Sequence, residues 1–107
     1  MKLINIMKHI FKKLQLKANS ESGNVYKMWD GLLNKIYKYI KIVMPYEKFS
    51  QLQKDEQAWI RQRDSEIVQA AKEWEGGSGS TMAQNCAGLE ATKERCYYLI
   101  SLLDDMD

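Results

Sequence analysis

One proline, Pro45, and one cluster of glycines, Gly76, Gly77 and Gly79, supply nearly all the strong punctuation in this chain. Such sparse breaking favours a few long helices over many short strands. The apolar spacing agrees. Val25, Trp29, Leu32, Ile36, Ile40 and Val43 recur at intervals of three and four, which draws one stripe along a helix. That helix ends before Pro45, because a residue preceding proline avoids the α region. A second helix begins near Pro45, where the missing N–H had no intrahelical partner anyway. Its stripe runs Phe49, Leu52, Glu56, Trp59, Arg63, Ile67, Ala70 and Trp74. "EGGSGSTM" then forms a loop, with Ser80 or Thr81 placed to cap a last helix whose apolar side is Met82, Cys86, Leu89, Cys96, Ile100 and Leu103. The expected class is all-α: a small antiparallel bundle of three long helices plus an N-terminal amphipathic helix.

At 107 residues the chain suits one core rather than two, and its 45% hydrophobic and 28% charged content is that of a globular protein. We divide it into a basic amphipathic segment (1–17), a small polar connector "ANSESGN" (18–24) and a helical domain (25–107). On a helical wheel Leu3, Ile6, Met7, Ile10, Phe11 and Leu14 share one side, and Lys2, Lys8, His9, Lys12 and Lys13 the other. Two readings follow: docking onto this protein's own core or a second copy, or attachment to a membrane surface. No apolar run in the segment exceeds two residues, so neither an export signal nor a membrane span is expected.

The formal net charge of +2 hides a division. Residues 1–17 carry five lysines and no acid, whereas the other 90 carry eleven basic against fourteen acidic residues. From Pro45 onward the ratio is seven to twelve. An acidic body is steered toward a cationic partner and away from nucleic acid.

Within the second helix, "AWIRQRDSE" raises a specific problem. Glu56 and Arg63 fall on the inward row, and a buried charge without a partner is expensive. Seven residues at ~1.5 Å rise place them ~10.5 Å apart along the axis, so each needs a partner elsewhere. Arg63 can cover the indole of Trp59 one turn back and pair with Glu66 three residues on. We read the stretch as a structural clamp in which Trp59→Ala would cost about 3–5 kcal/mol. Arg61 and Asp64 fall off the stripe and are candidates for partner contact.

No enzymatic site emerges. A Ser-His-Asp or Cys-His arrangement would depend on His9 alone, in the N-terminal segment. Asp55, Glu56, Asp64 and Glu66 crowd one helix, but such charges ordinarily form solvated faces and helix pairs. Cys86 and Cys96 are ten residues apart on one helix, ~15 Å by rise, beyond the ~7 Å that a disulfide spans. They are read as small core hydrophobes, with an intermolecular disulfide as the alternative. No Cys-x-x-Cys pair or phosphate-binding glycine loop occurs, and no metal or cofactor is expected.

Taken in order, "DGLLNKIYKYI" and its following proline, "AWIRQRDSE", "GGSGSTMAQNC" and "LEATKERCYYL" resemble the LprI-like domain, a bacterial all-helical module whose namesake is a lysozyme inhibitor. The residues that carry the resemblance best are Trp59, Arg63, Asp64, Gly76, Gly77, Cys86, Thr92 and Arg95. It implies a non-enzymatic binding module directed at a lysozyme-type cell-wall hydrolase, a basic protein suited to an acidic body. The loop from Gly76 to Thr81 (Gly76, Gly77, Ser78, Gly79, Ser80 and Thr81) is then the candidate plug, and Arg61 and Asp64 are further candidates for partner contact. The alternative is a structural protein that oligomerises or meets a membrane through residues 1–17. The resemblance also implies a cysteine about three residues after the Arg-Asp pair, joined to the one in the last helix; this chain has Ile67 there. Envelope or secreted residence is implied as well, although unpaired cysteines and the lack of an export pattern suit a reducing cytoplasm equally.

Overall fold

The computed structural model of the chain describes His9, residues 22–74, Gly77 and residues 79–106. The helix expected over 1–17 lies outside these, His9 aside, as do Gly76 and Ser78 of the loop. Three helices make up the described domain: α1 (Ser22–Val43), α2 (Tyr46–Glu73) and α3 (Ser80–Met106). No strand occurs among the described residues. Helix α1 starts three residues ahead of Val25, so Ser22 to Asn24 belong to its first turn rather than to the connector. Small polar residues suit that position because the first backbone N–H groups of a helix have no intrahelical acceptor.

Pro45 caps α2 in an extended conformation, and its carbonyl accepts the N–H of Phe49 at 3.0 Å. It therefore stands one residue before the helix rather than inside it. At the start of α3 the capping expectation moves by one residue too. The Gly79 carbonyl accepts the N–H of Ala83 at 2.9 Å, and Ser80 is already helical, its hydroxyl accepting from Nε2 of Gln84.

Helix α3 is the centre of the arrangement. It packs closely along both α1 and α2, while the backbones of α1 and α2 hardly approach one another. The core is accordingly built from Val25, Trp29, Leu33, Ile36 and Ile40 of α1, Phe49 and Leu52 of α2, and Leu89, Cys96, Leu99, Ile100 and Leu103 of α3. Leu33, not Leu32, takes the fully buried place on α1, and Val43 is exposed at the turn. The side of α3 read from the sequence is the side that meets α1. A second buried side, with Ala91, Thr92 and Arg95, escaped notice because its residues are small or polar.

Two residues expected on the core side of α3, Met82 and Cys86, are exposed. The contacts with α1 explain this. Tyr26 lies against Gly88, and the Cys96 thiol donates to the Trp29 carbonyl at 3.7 Å, so the two parallel helices run with Ser22 about level with Cys86. Among the described residues, only α3 and the end of α2 continue beyond that level, as a two-helix projection. Cys86 also stands nine residues, or about half a turn, round α3 from Arg95, the residue that reaches α2. Cys86 is free, and Ile67 stands where the resemblance implies its partner cysteine, so that pairing has no counterpart in this chain.

Candidate functional site

The wide gap between α1 and α2 is filled by long polar side chains. Glu56 and Arg95, each only 7% exposed, meet there with Arg95 Nε donating to Glu56 Oε1 at 2.7 Å. Arg95 Nη2 also lies 2.9 Å from Asp55 Oδ2, a charge contact at the rim outside good hydrogen-bond alignment. About two turns along α2, Arg63 Nη1 donates to Asp30 Oδ1 of α1 at 3.0 Å and reaches Thr92 Oγ1 of α3 at 3.4 Å. Arg63 thus ties all three helices together.

Trp59 sits between the two cations, with the Arg63 guanidinium 4.9 Å and that of Arg95 5.5 Å from its ring centroid. Arg95 stacks on Tyr98 as well, at 4.9 Å. The expected cover of Trp59 by Arg63 is present; the suggested Arg63–Glu66 pair is not. Asp30, together with a longer 3.7 Å contact to Asp64, engages Arg63, and Glu66 accepts instead from Gln62. The sequence reading saw that Glu56 and Arg63 required outside partners, but it did not find Asp30, Arg95 or Thr92 as those partners. An arginine four residues before Leu99, on a helix facing an acid in the inward row, was the available signal.

The carboxylates of the cluster are engaged in ion pairs. Asp55 and Glu56 are both held by Arg95, and Asp64 lies beside Arg63. Among the described residues no group of three His, Cys, Asp or Glu side chains is close enough to hold a metal ion. Cys96 is shielded likewise: burial, reinforced by Asp30 and Glu56, raises its thiol from 9.0 to about 12 and keeps it protonated and unreactive at neutral pH.

Trp59 turns out to be only partly buried, packed against the edge of the core. Its truncation should therefore cost less than the sequence expectation, about 2 kcal/mol, from half the apolar burial plus the cation–π contacts. Arg63→Ala should cost about 1–2 kcal/mol through loss of the Asp30 and Thr92 contacts. Urea titrations of the two variants check both values; unchanged midpoints would show that the cluster does not brace the bundle.

The loop residues and flanking charges occupy a different place. Trp74 O accepts Gly77 N–H at 3.0 Å and Gly77 O accepts Ser80 N–H at 3.4 Å, so the turn is tight. The Trp74 ring lies across Gly79, where a Cβ would stand 2.8 Å from the indole and force it aside. Gly79 is needed for this close approach. Trp74 is nevertheless 54% exposed and Met82 65%, which puts two large apolar side chains at the tip of the α2–α3 projection. Arg61, Asp64, Glu66 and Glu73 of α2 are exposed as well. The tip and the ion-pair cluster are therefore separate features: the first is accessible, the second internal.

Trp59, Arg63, Thr92 and Arg95, four of the residues that carry the resemblance, meet between α2 and α3, with Asp30 of α1 joined through Arg63. The family model described as Lysozyme inhibitor LprI matches residues 12–99. Comparison with curated proteins and with solved structures finds no match. A match over most of the chain, together with a helical domain whose centre is built from those residues, makes this protein a member of the lysozyme inhibitor LprI family.

Proposed function

We propose that the protein is a non-enzymatic binding module that inhibits a lysozyme-type cell-wall hydrolase, and that the tip of the α2–α3 projection is the part that enters the enzyme. The observation that carries the reading is the exposure of Trp74 and Met82 at a tight turn beyond the start of α1. Large apolar side chains in water at a protruding point resemble the anchors that dominate binding energy when they fill a pocket. The turn fixes Trp74 in place against Gly79, so less conformational entropy is lost on binding than for an open glycine loop.

Charge supports the same direction. Exposed Asp64, Glu66 and Glu73 line the approach to the tip, and a cationic enzyme with an acid-lined cleft would be drawn to that side. Arg61 stands among these acids and is suited to a carboxylate at the cleft rim. The alternative attachment through residues 1–17 concerns a segment outside the described residues and gains nothing from the geometry of the bundle.

Lysis of bacterial cell walls by a basic muramidase, followed by turbidity with increasing protein, tests the proposal. Inhibition is expected, and Trp74→Ala combined with Met82→Ser should weaken it at least tenfold while leaving the melting temperature within about a degree or two, since both side chains are largely exposed. Equal inhibition by the variant would remove the tip from the interface, and no inhibition by the unaltered protein would refute the function.

A further inference from the structure

Helix α1 turns its core side toward α3 and presents to solvent a side that the charge count along the chain did not separate from the rest. Lys27, Lys35, Lys38 and Lys41 are all exposed there. At 100° per residue they fall within one third of the helix circumference, opposite Trp29, Ile36 and Ile40, over ~21 Å of axis. The single acid of α1, Asp30, is engaged with Arg63 and does not offset them. On α2 and α3 acidic residues outnumber basic ones, ten to seven, so the outer side of α1 stands out as basic.

The same basic side ends in apolar residues. Ile42 is 80% exposed and Tyr46, just across the turn, 84%. Beside them opens a hollow of about 300 Å³ lined by Lys41, Met44, Tyr46, Phe49, Ser50 and Gln53, with a cation at its lip and apolar side chains within. Lysines alone would suit any polyanion. Lysines in line with exposed isoleucine and tyrosine and an apolar hollow suit a surface that is anionic outside and hydrocarbon a few ångströms deeper.

We infer that the outer side of α1, from Lys27 to Tyr46, docks the protein flat on an anionic phospholipid bilayer. The lysines meet headgroup phosphates, and Ile42 and Tyr46 enter the boundary between headgroups and acyl chains. No helix among the described residues is long and apolar enough to cross a membrane. The acidic projection is left free of the anionic surface. Each lysine near such a leaflet strengthens binding about fivefold, and the effect is screened by salt.

Co-sedimentation of the full chain with phosphatidylcholine vesicles, with and without phosphatidylglycerol, tests this. Binding is expected only to the anionic vesicles, and raised salt should weaken it. Lys35→Glu/Lys38→Glu should lower affinity at least tenfold and Ile42→Ser several-fold. Lys27→Glu/Lys41→Glu provides a second reversal should the first fail to fold. Inhibition of a muramidase in free solution should be unchanged in all of these, which separates failure here from failure of the proposed function. Absence of binding to anionic vesicles, or binding indifferent to both reversals, would overturn the inference. So would binding to soluble heparin as tight as to vesicles and insensitive to Ile42→Ser, which would make the partner a dissolved polyanion.

Discussion

Glu56→Ala is expected to lower the unfolding free energy by about 3–5 kcal/mol, because it strands the buried Arg95 guanidinium that Glu56 neutralises. The lower half of that range is favoured. Asp55 remains 2.9 Å from Arg95, but its side chain is 55% exposed, so water screens what it can restore. A bundle of this size has roughly 5–15 kcal/mol in total, so the variant should unfold at far lower denaturant concentration. Glu56→Gln, which keeps an acceptor but removes the charge, should lose less. Replacing both partners, Glu56→Leu with Arg95→Met, should recover much of the loss, since apolar residues of similar volume avoid the desolvation cost. Guanidinium titrations of the four proteins read this directly. If Glu56→Ala unfolds at the midpoint of the unaltered protein, the pair is not a structural element.

Trp29→Ala should have a comparable effect, about 3–5 kcal/mol, for a different reason. Its side chain is fully buried between α1 and α3, next to Cys96 and with its ring 6.1 Å from that of Tyr97. Removing it opens a cavity where neither helix can close in, because Gly88 and Tyr26 already bring the two together one to two turns away. Trp29→Phe should lose less. The comparison with Trp59→Ala is informative: both are tryptophans on inward rows, yet the first should cost about twice as much. Calorimetric melting of the pair tests the ordering, and a larger loss at Trp59 would reverse the assignment of core and edge.

Much of α1 was legible, because one helix with one buried side obeys a simple period. Val25, Trp29, Ile36 and Ile40 are buried as their spacing requires. The choice between Leu32 and Leu33 was not decidable by period, since both fall within the stripe and only the position of α3 selects Leu33. The charged members of the α2 row were readable as a demand for partners. Their identities were not, because Asp30 lies 33 residues before Arg63 and Arg95 lies 39 after Glu56. Helix α3 misled most. A helix buried on two sides mixes apolar, small and paired charged residues around most of its circumference, so the stripe facing α1 was seen and the one facing α2 was not.

The tip was only partly legible. Glycines marked a loop, and the loop was read as the plug. The exposed anchors, Trp74 and Met82, had instead been placed on inward rows, since spacing alone cannot tell where a covering helix stops.

The central place of α3 bears on how the chain comes together. The backbones of α1 and α2 hardly approach one another, and most of their apolar surface finds its mate on the segment made after both, in contacts such as Cys96 with Trp29 across 67 residues. While ribosomes are still producing the first two helices, Trp29 lacks that cover and Phe49 has only the Tyr37 ring of α1 against it, so assembly has to wait for the third. Nascent chains halted at the glycine turn should consequently remain protease-sensitive and seek chaperones, whereas release of α3 lets both seams close in one cooperative event.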